Sequence, residues 1–240
     1  MHTFFVEPQE WNADIALTGG EAHHVANVLR LSPGEKVCLL DGKGREGTFE
    51  IVSLTKKAVR IHLLQERVLE RDCTGVTLAI GWGKEVRRGW LLEKSVELGA
   101  HGVWFWRAER SQHPLPRTIS PSWTSSLVAG AKQCRNAWLP ELRVFPDGIN
   151  ALIEEAKIFD HLHILSESSH SPRTLLTDAW LSPSGRTLCV IGPEGGFSQK
   201  ELDAFTAAGF QSFSLGSRIL RWETAALLTL GLHWWKKQQQ

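Results

Sequence analysis

One stretch constrains the fold more than any other: Cys189-Val190-Ile191-Gly192-Pro193-Glu194-Gly195-Gly196-Phe197-Ser198-Gln199-Lys200-Glu201-Leu202. An apolar run of strand type meets a rigid Gly-Pro turn and two glycines. Ser198 followed by Glu201 then has the form of a capping box that opens a helix. A strand passing through such a turn into a helix belongs to an α/β unit, and in open α/β sheets ligands bind at the C-terminal strand ends. Gly195 and Gly196 let backbone amides and carbonyls approach a ligand with no Cβ in the way. The same turn also serves as a plain connection that needs positive φ. Its spacing is not the G-x-G-x-x-G of dinucleotide folds, and it lacks the Lys-Ser/Thr of a P-loop.

The sequence around this stretch repeats the alternation. From Val76, strand-like Val76–Ile80 leads through Gly81-Trp82-Gly83 into a helix over Lys84–Leu98, and Val103–Trp106 is the next strand. Helices over 121–135 and 148–157, strand His161–Leu165, a short helix near Leu175–Ala179 and strand Thr187–Ile191 follow. After the Gly-rich turn come helix Gln199–Ala208, strand Gln211–Leu215 and a final helix from about Glu223. This order predicts a parallel sheet with helices on both faces. Residues 1 to about 70 differ. Val37–Leu40, Gly47–Val52 and Ala58–Leu64 are short apolar or β-branched runs between turns such as Asp41-Gly42-Lys43-Gly44, with one helix over Glu21–Leu31 ended by Pro33-Gly34. They predict a small β-barrel-like module over residues 1–72 and an α/β domain over 73–240, with the boundary at Glu70-Arg71-Asp72.

Charge and cysteines exclude several classes of function. The formal charge of +1 over 240 residues rules out a broadly basic nucleic-acid binder but leaves room for a local basic site. Residues 1–70 carry eight basic against ten acidic side chains, so RNA contacts there must come from individual residues. No apolar stretch approaches the ~20 residues of a membrane span. The N-terminus has no basic leader and no long apolar core, so neither a signal peptide nor a membrane partner is expected. Cys38, Cys73, Cys134 and Cys189 stand far apart, which predicts reduced thiols, no metal and a cytoplasmic setting. His161-x-His163 alternates as on one strand face without an acidic or cysteine partner nearby, and fits no metal pattern.

Two further loops leave the same predicted sheet edge. Leu215-Gly216-Ser217-Arg218-Ile219-Leu220-Arg221-Trp222-Glu223 follows a strand and opens a helix, so Arg218 and Arg221 are candidate holders of anionic or carbonyl groups; the plain alternative is solvated surface charge. Leu165-Ser166-Glu167-Ser168 ends another strand and completes a three-loop pocket. On the helix from Lys84, a 100° wheel groups Lys84, Arg87 and Lys94 into one arc and turns Glu93 and Glu97 away. That arc is either a phosphate contact or a solvated face.

Taken together, these segments resemble the 16S ribosomal RNA uridine-N3 methyltransferases of the SPOUT class. The resemblance rests on His24–Arg30 with Asp41–Gly44, on Lys84–Gly99, on Ile191–Phe197 and on Leu215–Ala226. The last two, I-G-P-E-G-G and L-G-x-R-I-L-R-x-E-T-A, are the specific ones. It implies an N-terminal PUA-like RNA-binding domain, a C-terminal trefoil-knotted methyltransferase domain, a homodimer, S-adenosyl-L-methionine as cofactor, and 16S rRNA in the small ribosomal subunit as partner. The family usually has Glu-Gln and then Arg in the mid-chain helix; here Lys132 precedes Gln133, and Asn136 follows an Arg135 that comes one residue early.

Carried onto this chain, the resemblance implies that backbone groups of Leu165, Ile191, Gly192, Gly196, Leu215 and Leu220 hold the cofactor. Glu194, Gly195, Gly216 and Ile219, in the same loops, are carried over as cofactor-binding with them, Glu194 also being open to the substrate or partner subunit. Arg221 or Arg218 stabilises charge developing on the uracil. Glu223 is either the base or a helix-start carboxylate. Arg30, Lys84, Arg87 and Lys94 grip RNA phosphates. Two alternatives stand beside this: a SPOUT enzyme acting on another base or a ribose 2′-hydroxyl, and a non-catalytic RNA-binding assembly factor.

Overall fold

Short alternating runs and a bend in the longest hairpin shape the first part of the chain. The computed structural model describes residues 1–55, 57–83, 87–166 and 185–239. These divide into two units, Met1–Arg71 with Val128–Leu139, and Asp72–Leu127 with Pro140–Gln240.

In the first unit, β1 (His2–Phe5), β2 (Asp14–Thr18), α1 (Gly19–His23), β3 (Lys36–Leu40), β4 (Arg45–Leu54) and β5 (Ala58–Val68) follow in order. The sheet runs β1-β3-β4-β5-β2, with β1 parallel to β3 and the other neighbours antiparallel. Register shifts at Thr48/Phe49 and Ile51/Ser53 bend β4 against β5. The sheet therefore curls into a mixed half-barrel around Phe4, Ile15, Leu17, Leu39, Phe49, Ile51 and Ile61. The helix expected over Glu21–Leu31 starts earlier and changes character. After α1 the turn widens, with Leu29 N–H donating to His24 C=O five residues back at 2.9 Å, and Arg30 adopts φ of 54°. The segment 128–139 is tied in by backbone. Gly44 N–H donates to Ala137 C=O at 2.9 Å, Leu139 N–H to Gly42 C=O at 3.1 Å, and Trp138 Nε1–H to Leu69 C=O at 3.1 Å.

The second unit contains β6 (Gly75–Gly81), α2 (Arg88–Glu97), β7 (Gly102–Trp106), α3 (Pro121–Cys134, whose C-terminal half groups with the first unit), β8 (Glu141–Phe145), α4 (Ile149–Ala156), β9 (His161–Leu165), β10 (Arg186–Ile191), α5 (Gln199–Ala207), β11 (Gln211–Phe213) and α6 (Trp222–Lys237). The six strands lie in the order β11-β9-β10-β6-β7-β8, every neighbouring pair parallel. All residues of β6 and β7 are buried, as both-face coverage of a parallel sheet requires. On one face Ala79, Trp104 and Val190 pack with Leu152 of α4 and Phe205 of α5. On the other, Phe105 meets Trp123 of α3 at 5.1 Å.

The helix expected near Leu175–Ala179 lies outside the described residues. Strand β8, with its charged Glu141 and Arg143, was not legible as a strand. From β6 the chain steps outward through β7 to β8, whereas β9 and β10 lie on the other side of β6. The direction reverses between β10 and β6, yet the cavity at the C-terminal strand ends is lined from β9, β10 and β11, one step to the β10 side of that point. Among the described residues no helix is long and apolar enough to cross a membrane, and no cluster of His, Cys, Asp and Glu has the makings of a metal site.

One buried group makes stability depend on pH. His163 of β9 is 5% exposed, edge-on to Phe213 at 4.8 Å and stacked on His161 at 6.3 Å. Burial first, and the neighbouring His161 second, push its pKa from 6.5 down to about 3. Between those values the unfolded chain binds a proton that the folded chain refuses, so stability falls as pH drops through that window. One such group contributes about 1.4 kcal/mol per pH unit. Urea unfolding at pH 7 and pH 5 is expected to show this loss and His163→Phe to reduce it, the remainder coming from buried His233, whose pKa burial also lowers; an equal loss in the variant would assign it elsewhere.

Candidate functional site

The C-terminal strand ends of the second unit open into a cavity of about 1000 Å³. Its floor is apolar, from Leu165 at the end of β9, Ile191 at the end of β10 and Phe213 at the end of β11. Its rim is built by loops. After β10, Gly196 N–H donates to Pro193 C=O at 2.8 Å, closing a tight turn in which Gly196 takes φ of +68°. A Cβ at Gly196 would meet no protein atom within 4 Å, so this backbone faces open space where a ligand can approach. The turn ends in the capping box read from the sequence: Ser198 Oγ accepts from Glu201 N–H at 3.2 Å, and Ser198 N–H donates to Glu201 Oε2 at 2.8 Å.

After β11, Ser214 Oγ–H donates to Gly216 C=O at 2.9 Å and the same oxygen accepts from Gly216 N–H at 3.2 Å, shaping the start of the loop that runs to α6. In the third loop Ser166 N–H donates to Phe213 C=O at 3.1 Å; Glu167 and Ser168 lie outside the described residues.

Every residue named from the sequence as cofactor-binding lines this cavity: Leu165, Ile191, Gly192, Glu194, Gly195, Gly196, Leu215, Gly216, Ile219 and Leu220. Arg218, Arg221 and Glu223 line it too. Arg221 is exposed and flanks the first turn of α6 without a side-chain capping bond. Glu223 sits in that turn, 5% exposed, and accepts from Arg87 Nη1 at 3.4 Å.

The basic arc is corrected. Helix α2 begins at Arg88, so Arg87 flanks the helix, the wheel does not apply to it, and it points into the cavity wall. Glu97 does not turn away from Lys94: the pair sits one turn apart and bonds at 2.7 Å. Lys84 lies outside the described residues. Arg30, in the other unit, is exposed. The wheel also missed Arg88, which α2 buries with its guanidinium 3.6 Å from the centre of the Trp82 ring and Nη2 donating to Gly83 C=O at 3.1 Å.

Sequence reasoning also overlooked Arg110, which lines the cavity and donates from Nη1 to Gly195 C=O at 3.0 Å. The signal was available, because Arg107–Ser111 leaves a strand on the same sheet edge. Among the described lining residues the arginines Arg87, Arg110, Arg218 and Arg221 outnumber Glu194 and Glu223. The cavity thus joins an apolar floor to a cationic rim, suited to a nucleoside-sized guest attached to a polyanion.

Comparison with known proteins agrees with this geometry. A family profile described as "RNA methyltransferase domain" matches residues 69–234, and one described as "RNA methyltransferase PUA domain" matches residues 17–64. The chain is 28% identical to ribosomal RNA small subunit methyltransferase E of Bacillus subtilis, over 96% of this chain and 94% of that protein. It is 30% identical to the protein of that name from Synechocystis, over 91% of this chain and 72% of that one. Among solved structures, ribosomal RNA small subunit methyltransferase E from Neisseria gonorrhoeae, bound to S-adenosyl methionine, superposes with a TM-score of 0.80 at 27% identity, covering 96% and 95% of the two chains. A protein described as a methyltransferase from Legionella pneumophila, in complex with the same cofactor, gives 0.81 at 28% identity and 96% coverage of both.

Proposed function

The chain belongs to the RNA methyltransferase family of ribosomal RNA small subunit methyltransferase E, and from that premise we propose that it methylates N3 of a uridine in 16S ribosomal RNA, using S-adenosyl-L-methionine. The observation that supports this most is the convergence of three strand-end loops on one cavity with a glycine-lined rim. Its volume and its open space beside Gly196 fit a ligand made of a nucleoside and an amino acid. When bound, the cofactor supplies a methyl group on a sulfonium, which leaves as a neutral thioether.

The chain's own residues do the rest by binding and electrostatics. Leu165, Ile191, Leu215 and Leu220 give apolar contact, and the backbone around Gly192, Gly196 and Gly216 gives amides and carbonyls. As N3 gives up its proton and bonds to the methyl carbon, negative charge spreads to the uracil carbonyl oxygens. Arg221 and Arg218 place positive charge for that moment. In this reading Glu223, at the cavity wall beside Arg87, takes the N3 proton. Residues 1–72 act as the RNA-binding domain and 73–240 as the transferase, with Arg30 gripping phosphate. A homodimer fits the exposed Leu228, Trp234 and Trp235 of α6 and the exposed Trp90 of the adjoining α2.

The test is direct. The protein is expected to bind S-adenosylhomocysteine in calorimetry and to convert uridine to 3-methyluridine in small ribosomal subunits, read by nucleoside mass spectrometry. A 2′-O-methylated nucleoside or another methylated base would move the target. RNA binding without S-adenosylhomocysteine binding would leave an assembly factor.

A further inference from the structure

The Gly-rich loop does not stay above its own strand. Between β10 and β7 lies β6, whose end carries Gly81 and Gly83. A Cβ at Gly81 would run into Pro193, and one at Gly83 into the Glu194 carboxylate. Those two absent side chains leave a saddle over which Gly192–Glu194 cross to reach the loop after β7.

Three contacts hold the loop there. The Trp106 ring at the end of β7 stacks on Phe197, with centroids 5.9 Å apart and planes 19° apart. Arg110 Nη1 donates to Gly195 C=O at 3.0 Å. The third is the carboxylate of Glu201, 2% exposed. A capping box occupies only one of its oxygens, Oε2, which accepts from Ser198 N–H. The other, Oε1, accepts from Glu109 N–H at 2.7 Å, a bond that capping α5 does not require. Burying a carboxylate is unfavourable unless such donors satisfy it.

We propose that Glu201 is a positioning residue for the cavity. Its carboxylate clamps the loop after β7 to the Gly-rich loop, and with Arg110 as the outer contact it sets where the wall over residues 193–197 stands. The proposal rests on reading the cavity as the methyl-donor site, so its test includes a measurement made without ligand.

Glu201→Gln keeps one acceptor oxygen and sets an amide donor against a backbone N–H. In the ligand-free protein, hydrogen exchange of peptides spanning 107–112 and 192–198 is expected to accelerate about fivefold, with other peptides at wild-type rates. The dissociation constant for S-adenosylhomocysteine rises about tenfold, the loss of one charge-assisted hydrogen bond. The KM for S-adenosylmethionine rises in proportion, while kcat at saturating donor stays within about threefold. Arg110→Ala removes an exposed side chain, so the fold is kept. It accelerates exchange in 192–198 of the ligand-free protein and weakens binding about threefold, and it decides the matter should Glu201→Gln fail to fold. Wild-type exchange in 192–198, or wild-type affinity in the folded variants, overturns the clamp. A wild-type protein that binds no S-adenosylhomocysteine sinks the donor-site reading instead, and exchange in 107–112, which the cap does not touch, still decides whether the clamp exists.

Discussion

Arg221→Ala is expected to lower methyl transfer at least about 100-fold while S-adenosylhomocysteine affinity stays within about threefold; preorganised donors aimed at developing charge are worth factors of this size. The side chain is exposed and makes no capping bond to α6, so its loss leaves the helix start intact. The effect falls on the electrostatics of the cavity rim alone. Single-turnover methylation of small subunits, with calorimetry on the same preparation, checks both halves. Arg221→Lys keeps the charge but not the planar fork, and falls between wild type and alanine. Normal turnover in the alanine variant would remove Arg221 from the mechanism and leave Arg218 as the cation to examine.

The second large effect is at Gly196. Valine there is expected to weaken S-adenosylhomocysteine binding at least about 100-fold, because the new side chain stands in the space that the ligand needs. A β-branched residue at φ of +68° also carries backbone strain, on the order of 1–3 kcal/mol. That strain must be separated from the lost space. Gly209 provides the control: it has φ of +89°, its Cβ would likewise meet nothing within 4 Å, and it follows α5 outside the lining of the cavity. Gly209→Val is expected to lose comparable thermal stability with unchanged affinity. Equal affinity loss in both variants would mean that strain, not occupancy, acts at Gly196.

Much of this was legible in the sequence, for reasons tied to particular residues. The second unit announces itself because its central strands β6 and β7 are buried on both faces and read as apolar runs, and because Gly192–Gly196 and Ser198/Glu201 carry recognisable turn and capping chemistry. The three-loop pocket followed from the rule that parallel strands bind at their C-terminal ends. What escaped was structure set by distant partners. β1, β2 and β8 are short or charged and become strands by pairing with β3, β5 and β7. The return of 128–139 to the first unit depends on backbone bonds to Gly42, Gly44 and Leu69. Arg87 lies outside the basic arc because the helix starts one residue after it, and Glu97, read as facing away, lies within reach of Lys94 on the next turn. Glu201 was read as a cap, and only coordinates reveal where its second oxygen goes.

The slot beside β6 is filled late. Arg186 lies opposite Gly75, so β10 arrives more than a hundred residues after the strand it completes, and the Gly-rich rim comes with it. A nascent chain therefore displays β6, β7 and β9 on the ribosome while the strand that joins them is still unmade. Such long-range closure is slow relative to local folding. The cavity wall that follows β10 therefore takes its place only once that long-range pairing has formed.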